Sequence, residues 1–100
     1  MACPSKAKGN RAERKIVEYF RQNGLIAERA YASNGRALGE HEEVDVRVSG
    51  HKLQVKARKK LPAIISEALT EHVDAVVLVE DRKPPVVILR IEDYLNFIKP

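Results

Sequence analysis

The stretch Val44 to Lys60, VDVRVSGHKLQVKARKK, leaves a chain of this length few ways to fold. Val44, Val46 and Val48 alternate with Asp45 and Arg47. After Ser49-Gly50, Leu53, Val55 and Ala57 alternate with Lys52, Gln54, Lys56 and Arg58. A period of two with one apolar set is the pattern of strands that bury one face. The stretch is therefore expected to form two strands joined by a two-residue turn at Ser49-Gly50. With Val48 opposite His51, Arg47 pairs with Lys52, Asp45 with Gln54 and Glu43 with Lys56. Directly opposed side chains share a face about 5 Å apart, so Asp45, Gln54 and Lys56 project together, away from the valines. Two readings of that trio are open. An acid, an amide oxygen and an ammonium so grouped can hold a divalent cation and a phosphate. Equally, alternate polar residues are what the wet face of a half-exposed hairpin carries. A three-residue turn would shift the register, and a one-residue slip would turn a strand's side chains over.

One hundred residues, 44% of them hydrophobic, suffice for a single domain spanning 1–100 with a modest core. Eighteen Lys and Arg against fourteen Asp and Glu leave a net charge of +4, a balance that favours polyanionic partners. One cysteine, Cys3, excludes an internal disulfide framework and fits a reducing cytoplasm. His41, His51 and His72 do not show zinc-ligand spacing. No apolar run approaches the roughly 18 residues of a membrane-spanning helix, and the polar N-terminal stretch does not read as a signal peptide.

Residues 1–9 are expected to be a flexible basic lead-in. A helix follows, with Asn10 as N-cap and Glu13 in capping-box position. Ala12, Ile16, Val17 and Phe20 recur at helical spacing, and Asn23-Gly24 marks the stop. Glu13 either completes the cap or stands as an acid at the edge of the core-facing stripe. Arg11, Arg14, Lys15 and Arg21 are a solvated basic face that can also lie along phosphates. Leu25 to Ala32 reads as a strand of weak alternation. Ser33 to Glu43, with Arg36 and His41, is a loop that either connects or closes over a ligand. Beyond the hairpin, Arg58, Lys59 and Lys60 extend the basic run of Lys52 and Lys56. Pro62 opens a helix through His72. Ala75 to Val79 has the unbroken apolar character of a strand buried on both faces. Lys83-Pro84-Pro85 turns the chain, Val86 to Ile91 is a further strand, and Glu92 to Ile98 is a closing helix with Tyr94, Leu95 and Ile98 inward. The order is helix, three strands, helix, two strands, helix. It predicts an α/β fold with a mixed central sheet flanked by helices.

An acid in the first helix, an acid in the second strand and Gln-Val-Lys in the third make this chain resemble the PD-(D/E)XK nuclease superfamily, most of all the archaeal and phage Holliday junction resolvases. The matching pieces are Lys8-Gly9, Ala12 to Val17, Ala32 to Gly35, Val44-Asp45-Val46 and Leu53 to Lys56. They span roughly residues 8–60; beyond that the likeness is in the order of elements alone. The resemblance implies an αβββαββ(α) restriction-endonuclease-like core. Asp45 looks like the metal-binding acid of the second strand, Gln54 stands where the family usually has Glu or Asp, and the Val55 carbonyl would be a third ligand. Lys56 resembles the lysine that positions the attacking water and steadies charge on the phosphorane. Glu13 resembles the helix acid, which binds metal directly or through water, and Ser33 a loop serine near the scissile phosphate. Two departures stand out. Val44 replaces the usual proline, and Gln54 brings an amide oxygen without charge, which weakens the hold on Mg²⁺. Glu40, Glu42 or Glu43 can restore that charge.

The resemblance further implies Mg²⁺ as cofactor, with Mn²⁺ as substitute, and hydrolysis of DNA to a 5′-phosphate and a 3′-hydroxyl. Lys6, Lys8, Arg11, Arg36, Arg58, Lys59 and Lys60 would contact backbone phosphates, giving affinity with little sequence information. No element reads as a base-reading helix, which favours selection of DNA structure over sequence. A four-way junction is two-fold symmetric and each chain offers one site, so symmetric cutting needs a C2 homodimer. The C-terminal strand and helix, with Tyr94, Leu95 and Phe97, are its expected interface.

Overall fold

Ser49 and Gly50 both take positive φ, 47° and 85°, as a two-residue type I′ hairpin turn requires. The computed structural model describes residues 4–30 and 41–100. Around the turn, β2 (Val46–Val48) pairs antiparallel with β3 (His51–Leu53), Val48 facing His51, Arg47 facing Lys52 and Val46 facing Leu53. The register is the expected one over these pairs. The left-handed backbone suits glycine and strains serine. Ser49→Asn is expected to raise stability by about 0.5 kcal/mol and Gly50→Ala to lower it by about 1 kcal/mol. Urea midpoints of the two variants check both signs.

Helix α1 (Pro4–Gln22) begins six residues before Asn10. Proline is well suited to a first helical position, and Lys6, Ala7 and Lys8 are good helix formers. Residues 4–9 are therefore helical, not a flexible lead-in, and Glu13 lies in the helix interior, where it cannot close a capping box. The predicted stop holds. Gly24 has φ of 84°, its N–H donates to the Arg21 carbonyl, and the Leu25 N–H reaches the Phe20 carbonyl at 3.1 Å. That pair of bonds is a Schellman ending. Asn23 Nδ2 adds a bond to the Tyr19 carbonyl.

Strand β1 (Ala27–Arg29) joins the other edge of β2, with Ala27 opposite Val48 and Arg29 opposite Val46. Helix α1 packs on this sheet. Val17 and Phe20 from the helix, with Ala27, Ala30, Val44, Val46 and Val48 from the sheet region, form the buried core. The opposite face carries Glu28 and Arg47, cross-strand partners joined by a 3.2 Å ion pair. Both are half-exposed, so water screens the pair and it contributes at most about 1 kcal/mol.

The chain divides into two compact units, residues 1–57 and 58–100. In the second, β4 (Ala75–Leu78) and β5 (Val86–Leu89) form an antiparallel two-stranded sheet of their own. The protein is thus a small mixed α/β chain with two antiparallel sheets, in place of one mixed central sheet. The element order is the predicted one; pairing is what sequence order does not specify. Among the described residues β4 pairs with β5 alone, and it is not buried on both faces: Val77 is 62% exposed.

Helix α2 (Ala63–Ser66) is much shorter than the predicted run to His72. The Thr70 hydroxyl accepts the His72 N–H, a local bond that competes with helix continuation. The Arg90 guanidinium also gathers the carbonyls of Leu69, Thr70 and Val73, with 2.6 Å to Thr70. Helix α3 (Ile91–Ile98) closes the chain with Leu95 buried, Tyr94 and Ile98 half-buried and Phe97 79% exposed. No helix among the described residues is long and apolar enough to cross a membrane.

Candidate functional site

The ladder between β2 and β3 stops at Val46 and Leu53, and Asp45 uses its own side chain to take over. Its N–H donates to the Leu53 carbonyl at 2.9 Å, the residue already opposite Val46. Two residues of one strand thus face one of the other, a bulge-like step that bends the strand end. The Asp45 carboxylate, through Oδ2, accepts the Val55 N–H at 2.7 Å. Meanwhile the Asp45 carbonyl accepts the Ala30 N–H at 2.8 Å. Asp45 therefore ties the ends of all three strands together.

This geometry changes the expected trio. Asp45 meets the segment Gln54-Val55-Lys56 through Val55, and the pairs Asp45–Gln54 and Glu43–Lys56 do not form in the ladder. Gln54 and Lys56 are exposed, and their side chains make no hydrogen bond or ion pair among the described residues. Free rotamers leave both heads able to turn toward a ligand beside Asp45. Ahead of β2, the His41 carbonyl accepts the Val44 N–H and the His41 Nδ1 accepts the Glu43 N–H. The carboxylates of Glu42 and Glu43 lie at exposed positions. Among the described residues no three His, Cys, Asp or Glu side chains gather as a metal group.

Glu13 belongs to a second cluster. It is 2% exposed, in the middle of α1. Arg29 Nη2 stands 3.5 Å from its carboxylate and donates to Asn10 Oδ1 at 3.1 Å. Arg29 sits on the same sheet face as Val46, which turns it toward the helix. Its Nε is buried without a hydrogen-bond partner, a costly state for a charged donor. Sequence reading passed over Arg29 because an arginine in a strand of weak alternation looks solvated. The available signal was Glu13 itself, since a carboxylate in an apolar stripe calls for a cation.

The proposed phosphate contacts are distributed as follows. Lys6, Lys8 and Arg11 lie along α1, Lys8 half-buried and Arg11 exposed. Arg58, Lys59 and Lys60 are exposed, with Arg58 Nε donating to the Lys60 carbonyl. Ser33, Arg36 and Glu40 lie outside the described residues.

No protein-family model matches the chain, and no curated protein or solved structure matches it significantly.

Proposed function

We propose that this chain is a metal-dependent, structure-selective DNA endonuclease of the Holliday junction resolvase type. The observation that carries this reading is the 2.7 Å bond from Val55 to the Asp45 carboxylate. It brings the acid just ahead of β2 against the Gln-Val-Lys segment, the constellation the nuclease resemblance requires. The donor chemistry fits a hard cation. Asp45 carboxylate, Gln54 amide oxygen and Val55 carbonyl are all oxygen donors, and Mg²⁺ needs only one or two carboxylates when water fills its other positions. When bound, the ion supplies charge neutralisation and polarisation of the phosphoryl oxygen. Asp45 and Val55 hold the donor oxygens in fixed relation. Lys56, which has no side-chain partner among the described residues, would bring an ammonium to the phosphate, where negative charge grows during cleavage. Arg29, whose Nη2 also donates to Asn10, pairs with Glu13. Lys6, Lys8, Arg11, Arg36, Arg58, Lys59 and Lys60 supply phosphate contacts, and a homodimer supplies the second site for a two-fold symmetric junction.

A second reading has its own support. Gln54 carries no charge, and Glu13 is already engaged by Arg29. Both features suit a module that binds branched DNA without cutting it. Cleavage of a labelled four-way junction, beside duplex and flap controls, with Mg²⁺, Mn²⁺ or EDTA, separates the two. Paired, metal-dependent nicks in the junction alone support the resolvase; nicks in flap or duplex point to another nuclease of the same type; tight binding with no nicks supports the module. Within the nuclease reading, Gln54→Glu is expected to lower the Mg²⁺ concentration for half-maximal cutting several-fold, by adding a charged ligand. A Mg²⁺ titration of cleavage rate checks it, and loss of cutting in Gln54→Glu would show that the neutral amide is required.

A further inference from the structure

Charge is divided unevenly along the chain. Residues 1–60 hold fourteen Lys and Arg against seven Asp and Glu, a net of +7, while residues 61–100 hold four against seven, a net of −3. The second unit, residues 58–100, is neutral only because Arg58, Lys59 and Lys60 stand at its start; in its acidic remainder lies a surface hollow of about 380 Å³, lined by Asp74, Ala75, Leu89, Asp93, Asn96 and Phe97. Helix and sheet build it together. Asp93, Asn96 and Phe97 are spaced i, i+3 and i+4 on α3, so they share one helix face. Ala75 and Leu89 are directly opposite each other on β4 and β5, and Asp74 precedes Ala75. The lining thus combines the apolar Ala75 and Leu89, the aromatic ring of Phe97 and two carboxylates.

Three features resist a purely structural account. Phe97 is 79% exposed, although its helix has buried positions available. The side chains of Asp74, Asp93 and Asn96 make no hydrogen bond or ion pair among the described residues. Asp93 in the first turn of α3 favours the helix dipole, but that explains neither Asp74 nor Phe97. The Val77 and Val87 pair, next along the face that holds Ala75 and Leu89, is exposed as well, so the apolar surface continues beyond the hollow.

The geometry points to a docking site for an arginine side chain of a partner polypeptide, the guanidinium lying on Phe97 and bonding to Asp74 and Asp93, with apolar flanking residues on Val77 and Val87. Guanidinium is the cation this lining selects: it is planar, stacks on aromatic rings and pairs with carboxylates through a fork of N–H donors. Its aliphatic stem matches the apolar Ala75 and Leu89. The hollow is at the small end of ligand pockets, which suits one side chain. This inference stands apart from the cleavage chemistry and uses none of the proposed metal-binding or phosphate-contacting residues; Phe97 is shared with the expected dimer interface, and the two uses of it are told apart by the test below.

The test is an amide-shift NMR titration of the full chain with the capped tripeptide Val-Arg-Val and with its citrulline counterpart, which keeps the shape and removes the charge. Saturable shifts are expected at Ala75, Leu89, Asn96 and Phe97 with the arginine peptide. Binding should weaken about tenfold with citrulline, with Asp74→Asn and with Phe97→Ala. Both substitutions fall at exposed positions, and unchanged spectra elsewhere would show that the fold persists. Equal shifts from the two peptides, or shifts confined to other acidic residues, would overturn the proposal. So would self-association of the free chain through these same residues without displacement by the arginine peptide.

Discussion

Replacing Asp45 by asparagine is expected to cut junction cleavage by at least about a hundredfold while leaving junction binding and stability nearly unchanged. Asparagine keeps an oxygen that can accept the Val55 N–H, so the 2.7 Å bond that shapes the strand end survives. The negative charge that would hold the cation is lost, and effects of this size are typical when a group acting on transition-state charge is removed. Asp45→Ala goes further. It leaves the Val55 N–H without its partner and should cost roughly 1–2 kcal/mol of stability in addition. Single-turnover cleavage, junction binding without metal and thermal melting of both variants together separate the two roles. If Asp45→Asn cuts as well as the parent chain, Asp45 is a structural pin and the proposed metal site is wrong. If Asp45→Asn loses junction binding, the carboxylate serves the DNA-bound fold instead of the chemistry.

Arg29→Met is the other large effect, and it falls on stability. Glu13 is almost wholly buried, and Arg29 is its cation at 3.5 Å. Removing one member of a buried pair leaves the other charge to be carried in a poor medium, at about 3–5 kcal/mol for full burial. The Arg29 side chain retains 26% exposure, so water shares the load and about 2–3 kcal/mol is the expected loss. For a chain of this size that lowers the melting temperature by roughly 10–20 °C. The double variant Glu13→Leu with Arg29→Met removes both charges and should recover most of the stability, because apolar replacements of a buried pair are often neutral. Calorimetry of the single and double variants checks this. A double variant no more stable than Arg29→Met alone would show that the cost comes from lost packing, not from the loss of the Arg29 charge beside Glu13. Once the fold is restored, the same double variant tests chemistry: if Glu13 acts in cleavage, it should fold and not cut.

What was legible in the sequence was local. The Ser49-Gly50 turn, the register of Val48 with His51 and the glycine stop of α1 depend on backbone preferences and period-two burial within a few residues. The order of the elements follows from the same short-range patterns. The start of α1 escaped because Asn10 and Glu13 imitate a cap in sequence, and only the completed helix shows both turned toward Arg29. The length of α2 escaped because Thr70 and the distant Arg90 intercept groups that would otherwise continue the helix. Likewise, alternation placed Asp45 on the polar face but could not foresee that its carboxylate would take a backbone N–H across the hairpin and end the ladder. By itself, then, the sequence determined the order of strands and helices and the apolar faces of α1 and the first hairpin, since those depend on side-chain period. Only the tertiary structure decided which strands pair and which charge answers which. Those choices depend on burial among residues far apart in the chain, where the strength of a contact is set by its surroundings and not by its spacing.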